Sequence, residues 1–424
     1  MKTKAWMSLL LLLALLLTVC AAQAEPTLAD YSLNDIQGAF EWQGKAYAIV
    51  SDWRDDYHGV VDGDGNLVIS CEYYGLTYAG EGLMCAVQPA ASVSDQRRFY
   101  IDLNERWIGN FDLWKEAKRF NDGLAVVSDG LYGYINTAGE YVVECVWDAA
   151  ADFSGGMGVV CKNNQYGAVD QSGQLVIPCE WDSLSSFKDG LAVARKNGKV
   201  GFINTSGQVV IPLEWDSANA FSEGLAAVGQ GGMYGFINAS GQVVIPLEWK
   251  MASDFSEGLA RVSDGRAYGY VDQTGQLVIP CEWENTFRFS KGLSSVTPDG
   301  KNWGYIDRTG NLVVPCEYKN VSVFPDHGLA VVVLGRTMYT PADMYGVMDA
   351  TGRLIVPCEY TLYNLEVSDG VAIYRKKSGY GACNANGDET VLAKYDDIAY
   401  AAGRYFCLKD YELLIMDEQG NRVF

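Results

Sequence analysis

Several residue types recur along this 424-residue chain at a spacing that invites a chemical reading. A glutamate followed by an aromatic appears at Glu72-Tyr73, Glu180-Trp181, Glu214-Trp215, Glu248-Trp249, Glu282-Trp283, Glu317-Tyr318 and Glu359-Tyr360. A row of carboxylates suits cation binding or paired acid and base work. A ladder of large aromatics suits stacking on sugar rings. Each reading has a structural counterpart. The glutamates, repeated in seven copies, are expected to cap their own turns by accepting backbone N–H groups. The aromatics, Trp181, Trp215, Trp249 and Trp283 among them, are expected to fill one packing layer between copies. A catalytic pair should occur once, and these positions occur many times.

Other candidates are weaker. The run Asp62-Gly63-Asp64-Gly65-Asn66 resembles the opening of a calcium loop, but Leu67 and Tyr73 stand where such a loop needs Gly and Glu. It also aligns with an ordinary hairpin turn. Only two histidines exist, His58 and His327, so His-rich metal sites and Ser-His or Cys-His hydrolases are disfavoured. Cys71, Cys145, Cys179, Cys281, Cys316 and Cys358 share one position that Leu213 and Leu247 take elsewhere. A site accepting Cys or Leu reads as an apolar core site holding free thiols. No C-x-x-C spacing points to zinc. The composition therefore predicts no metal, no cofactor and no enzyme. The formal charge of −21 disfavours nucleic acid as a partner.

The elements that carry these residues come from one repeat. Gly133, Gly167, Gly201, Gly235 and Gly269 are each 34 residues apart, and Gly304, Gly346 and Gly381 continue the series. A fixed period of this size marks a tandem array. Within the copy at Gly201, Gly201–Asn204 reads as a strand, and Thr205-Ser206-Gly207 as a turn. Gln208–Ile211 reads as a second strand stopped by Pro212. Leu213–Glu223 reads as irregular, and Leu225–Val228 as a third strand. The expected fold is all-β: antiparallel three-stranded units that stack because one unit cannot bury its own apolar face. Half copies near residues 30–50 and at Leu414–Phe424 either cap an open curved array or close a β-propeller. About eleven units make a large ring, and the open array is the preferred expectation.

The tandem pattern [WY]-G-[YF]-[IV]-[DN]-x-x-G-x-[LV]-[VI]-[IV]-P, followed by E-[WY] and F-S-x-G-L-A, resembles the bacterial WG-repeat proteins over residues 57–424. The first motif position is Trp only at Trp303; Tyr132, Tyr166, Tyr234, Tyr268, Tyr345 and Tyr380 replace it, with Val200 and His58 as further departures. The resemblance implies a β repeat scaffold without a shared catalytic motif.

Ahead of the array, Lys2 and Lys4, the apolar run Leu9–Val19 and Ala22-Gln23-Ala24 have the three-part form of a secretory leader. Cleavage after Ala24 is expected; lipidation at Cys20 is disfavoured by the bulk of Val19. No later stretch is long enough to span a membrane as a helix. The expected organisation is a leader at 1–24, an N-terminal half repeat at 25–56, and about ten repeats over 57–424. The expected role is an exported, non-catalytic binding scaffold in the cell envelope or outside it. Its partner would be a protein or a cell-surface glycan. A wall-polysaccharide binder and a carboxylate-based glycan hydrolase are the alternatives. Two insertions, Pro89–Arg97 and Gly335–Met344, fall at the same point of the repeat. Insertions at equivalent turns emerge on one side of an array, so Arg336, Met338, Tyr339 and Met344 are the candidate partner contacts.

Overall fold

A computed structural model describes residues 27–53, 57–88, 92, 95–109, 113–325, 327–335, 342–361 and 364–424. The leader, with Cys20 and the Ala24 cleavage position, lies outside the described residues, as do Arg336, Met338 and Tyr339. The described chain is all-β, in eleven small antiparallel sheets. A short 3-10 turn at Leu28–Asp30 precedes the first strand. No helix of the described residues is long and apolar enough to cross a membrane.

One sheet shows the plan. Ser217–Ala218, Leu225–Gln230, Met233–Asn238 and Val243–Trp249 pair in that order. The unit thus has four strands rather than three. The stretch read as irregular supplies a strand only two residues long, too short to leave a periodic signature. Each blade also straddles two sequence copies, taking its first two strands from one and its last two from the next.

Pro212 does not end its strand, which runs from Val209 to Trp215. Phe202 pairs with Ile211 and Val200 with Trp215, so extra residues bulge out of the longer strand. Pro212 sits in that bulge on an edge strand, where no ladder donor is required. The bulge also explains the recurrent motif glycine. A Cβ on Gly201 would collide with the Ile211 and Pro212 carbonyl oxygens, and Gly133, Gly167, Gly235, Gly269 and Gly304 meet the same backbone.

The [DN] of the motif has an equally local cause. Asn204 Oδ1 accepts the N–H groups of Ser206 at 3.1 Å and Gln208 at 2.9 Å. Asp272 Oδ1 does the same for Thr274 and Gln276. Only one side-chain oxygen is needed, so Asp and Asn alternate freely. Asp62, the residue that opens the calcium-like run, holds Asp64 and Asn66 in this way. That run is a hairpin turn.

Three kinds of bond recur between neighbouring blades. Ser222 Oγ donates to the Phe255 carbonyl at 2.9 Å, Ser256 to Phe289 at 2.8 Å, and Ser290 to Phe324 at 2.6 Å. Tyr134, Tyr270 and Tyr305 hydroxyls each reach a carbonyl of the following blade at 2.7 Å. Glu223 accepts the N–H groups of Glu257 and Gly258 one blade on, and Glu257 that of Gly292. Between blades lie the phenylalanines Phe120, Phe153, Phe187, Phe221, Phe255 and Phe289, all buried.

The array is not open. The first blade contains Leu33–Trp42, Lys45–Asp52, Tyr57–Asp62 and Leu67–Tyr73; the last contains Asp397–Ala401, Arg404–Lys409 and Glu412–Asp417. Leu33, Ile36, Ala48, Val50 and Val61 of the first share one core with Phe406, Leu408, Leu413 and Ile415 of the last. The chain end supplies the missing fourth strand, as Val423 N–H donates to Ile415 O at 2.7 Å and Ile415 N–H to Phe424 O at 3.0 Å. The preferred expectation of an open array is therefore corrected to its alternative, a closed β-propeller, here of eleven blades. End caps of an open array need polar outer faces. Leu33 and Ile36 on one end and Phe406 and Leu408 on the other are apolar, and they bury one another. The two half copies do not merge into one blade; each completes its own.

Candidate functional site

The recurrent Glu-aromatic pairs resolve differently from expectation. Among the described residues, none of Glu72, Glu180, Glu214, Glu248, Glu282, Glu317 and Glu359 accepts a backbone N–H through its side chain. They project from the bulged edge strands, where the chain has already satisfied its turns through the [DN] side chains. Glu180 instead pairs with Lys196 at 3.1 Å. The expected capping role belongs to the [DN] position and to the acidic residue of the next turn.

The aromatics lie inside. Trp181 is packed among Leu184, Phe187, Ala194 and Ile203, and Trp215 among Val200, Phe221, Val228 and Ile237. Trp249 and Trp283 are half-buried against the neighbouring clusters. The indole Nε1 atoms of Trp147, Trp215, Trp249 and Trp283 are buried without a hydrogen-bond partner among the described residues. Trp181 and Trp215 offer no open ring face for a sugar.

All ten described cysteines are free thiols. Burial pushes the Cys71 thiol up to about 12 and that of Cys358 to about 11, away from the reactive thiolate form. Among the described residues no group of three or more His, Cys, Asp or Glu side chains is arranged to hold a metal ion. Met344, placed by sequence in an insertion loop, opens the strand Met344–Asp349 and pairs with Leu334.

Two features stand out that the motif positions did not announce. The first is an apolar belt. The opening residue of the last strand is exposed in six consecutive blades, at Leu175, Val209, Val243, Leu277, Leu312 and Leu354. Val210, Val244 and Val313 beside them are exposed too. The sequence carries this signal as the [LV]-[VI] pair of every copy. Its exposure follows from the bulged edge strand, which covers only every other apolar residue, such as Ile211 and Ile245.

The second feature is the closing junction, where the regular fastenings give way to singular residues. Asp397 Oδ2 accepts the Ile36 N–H at 2.9 Å, and Asp397 Oδ1 accepts the Ile398 N–H at 2.9 Å. Burial, with the Asp35 carboxyl alongside, pushes Asp397 up to about 7, against the pull of those two N–H groups. A cavity of about 220 Å³ borders it, lined in part by Gln37, Glu366, Ser368 and Tyr400. On another part of the same junction, a cavity of about 240 Å³ is lined by Gly44, Lys45, Ala46, Asp62, Gly63, Asp64, Ala402 and Arg404.

Several solved structures match the chain at low identity. A crystal structure of the eukaryotic initiation factor is 12% identical, with a TM-score of 0.45, over 78% of this chain and 99% of that one. BamB from Moraxella catarrhalis is 12% identical, with a TM-score of 0.31, over 64% of this chain and 95% of that one. Hsv2p from Kluyveromyces lactis is 10% identical, with a TM-score of 0.33, over 55% of this chain and 92% of that one. No curated protein matches the chain. The model of the WG containing repeat matches seven times in succession, at residues 132–166, 166–199, 201–234, 234–265, 268–301, 303–336 and 345–379. With more than half of its length in these copies, the chain belongs to the family of WG-repeat proteins.

Proposed function

We propose that this protein is an exported, non-catalytic interaction scaffold whose partner is another protein. The apolar belt carries the reading. Six blades in succession present an aliphatic residue to solvent on an edge strand. Pro178, Pro212, Pro246 and Pro280 in those strands leave them poor templates for sheet extension. Contact through side chains is what remains, and the same exposed aliphatic position recurs from blade to blade. The leader-like residues Lys2, Lys4 and Leu9–Val19 support export. Full burial of Trp181 and Trp215 breaks the continuity of an aromatic ladder and weakens the support for a wall-polysaccharide binder. The repeated glutamates do not converge on one another, so they supply no carboxylate pair for a glycan hydrolase.

The test is capture of partners by immobilised residues 25–424 from an envelope extract, beside retention on insoluble cell-wall polysaccharide. The scaffold reading expects a defined protein to be captured, and Val209→Lys with Val243→Lys to release it while the fold is kept. Salt-resistant retention on polysaccharide with no protein captured would overturn it in favour of glycan binding.

A further inference from the structure

The fastening between blades predicts what the closing junction lacks. In the turn after the first strand of a blade, an acidic residue reaches the next blade. Glu81 accepts the Gly123 N–H at 2.9 Å, Asp122 that of Gly156 at 3.2 Å, Glu223 that of Gly258, and Glu257 that of Gly292, both at 2.8 Å. In the last blade this residue is Ala402. The N–H it should meet, that of Gly44 in the first blade, has no acceptor among the described residues. Gln43, Gly155, Lys291 and His327 also interrupt the acidic series, and Asp189 and Asp369 make no such bond among the described residues, so a missing carboxylate alone defines no site.

A second bridge is missing at the same place. Gln171 and Gln273, each one residue after the turn Asp, donate to the carbonyls of Asp122 and Glu223 in the blade before. The first blade has Gly63 there. A Cβ at Gly63 would lie 3.1 Å from Arg404 Cγ and 3.4 Å from Ala46 Cβ, so Arg404 and Ala46 pack directly over this backbone at the rim of the cavity.

What lines the space is charged. Lys45 and Arg404 flank it and form no ion pair among the described residues; Arg404 Nη1 donates only to the Gly403 carbonyl at 3.3 Å. Opposite them are Asp62 and Asp64. Asp62 is held by the N–H groups of Asp64 and Asn66 and by Asn66 Nδ2. The Asp64 carboxylate has no partner among the described residues. Lys45, Arg404 and the exposed Gly44 N–H stand against the Asp64 carboxylate, in about 240 Å³; Arg404 also acts from a distance on the Asp417 carboxylate.

We infer that this cavity between the first and last blades binds a small α-amino carboxylate. The ligand carboxylate takes the place that Glu223 or Glu257 fills elsewhere, on the Gly44 N–H between Lys45 and Arg404. Its ammonium turns to Asp64. A simple anion would leave Asp64 unmet beside its own charge, and a simple cation would leave Lys45 and Arg404 unmet. Charge-assisted bonds at both ends select the zwitterion. The inference goes beyond the belt and stands without it, since a protein partner at the belt and an amino acid at the junction are read by different measurements.

The experiment is calorimetric titration of residues 25–424 at pH 7 with glycine, alanine and glutamate, with acetate, phosphate and methylamine as single-charge controls. Saturable binding of an α-amino acid is expected, with each control at least about tenfold weaker. Arg404→Gln should weaken it at least about tenfold. Ala402→Asp places an internal carboxylate on Gly44. It should abolish binding and raise the melting temperature, and that rise also shows that the variant folds. No saturable binding below about 10 mM, equal binding of acetate or phosphate, or unchanged binding in Ala402→Asp would overturn the inference.

Discussion

Asp397 of the last blade holds the backbone N–H of Ile36 in the first at 2.9 Å, the one point where the two ends of the array are joined by a side chain of raised proton affinity. Because this carboxyl is pushed up to about 7 by burial and by Asp35, the closed ring binds a proton that the unfolded chain releases in the ordinary carboxylate range. Its contribution is fully present below that range and is lost as pH rises through about 7. Stability should therefore fall between pH 4 and 7 by up to ~1.4 kcal/mol per pH unit from this group, and stay level above. Asp397→Asn keeps an acceptor for Ile36 and adds a donor toward Asp35. The variant should melt higher than the parent at pH 8, and the difference between the two should vanish toward pH 4. A constant difference across thermal melts from pH 4 to 8 would show that Asp397 is ionised in the closed ring.

Gly235→Ala tests the bulge. The added Cβ meets the carbonyl oxygen of Ile245 and the backbone of Pro246, neither of which can turn aside as a side chain would. A loss of about 1–3 kcal/mol is expected from such overpacking, measured by denaturant unfolding. Gly224→Ala is a useful contrast, since no atom lies within 4 Å of its Cβ position. Its cost is confined to the left-handed backbone at φ 86°.

Much of this architecture is legible in the sequence because its causes are local. The turn after Asn204 is fixed by its own side-chain oxygen, and the 34-residue recurrence of Gly201 and Gly235 reports one backbone contact repeated. Ser217–Ala218 is not legible, since two residues cannot show a period. Ring closure is only partly legible: the half copies at the two ends offer it as one of two readings and do not decide it. It rests on Leu33 and Ile36 meeting Phe406 and Leu408 across nearly the whole chain, and nothing near either group announces the other. The same holds for the sites. The recurrent Trp215 and Glu214 attract attention but pack or project. The junction residues Gly63, Ala402 and Arg404 are departures from the repeat, visible only once the blades are aligned in space.

Tyr305→Phe tests the fastening between blades. The Tyr305 hydroxyl donates to the Ser322 carbonyl at 2.7 Å from a buried position. Removing it leaves that carbonyl unpaired at a cost of about 1 kcal/mol. Phe202 and Phe236 occupy the same position in other copies without the bond, so the ring volume itself is tolerated and the loss isolates the hydroxyl. Chemical denaturation of the single variant should show a lower midpoint with an unchanged slope.

Asp272 tests why the motif accepts either Asp or Asn. Its Oδ1 accepts the Thr274 hydroxyl at 2.6 Å and the N–H groups of Thr274 and Gln276 at 2.9 and 3.0 Å. These bonds hold the carboxyl below its ordinary range, the Thr274 hydroxyl foremost. A depressed carboxyl contributes stability that is present above its ordinary range and lost as pH falls through the depressed value. Asp272→Asn keeps the accepting oxygen and has no proton to gain, so it should leave stability near pH 7 almost unchanged and lessen the loss in acid. Asp272→Ala removes the acceptor and should cost about 1 kcal/mol near pH 7, as loss of a capping side chain does, and less in acid, where the ionised carboxyl's contribution is already lost. If Asn proved as costly as Ala at pH 7, the negative charge rather than the hydrogen-bond geometry would be what the turn requires, and the asparagines at Asn204 and Asn238 would need another explanation.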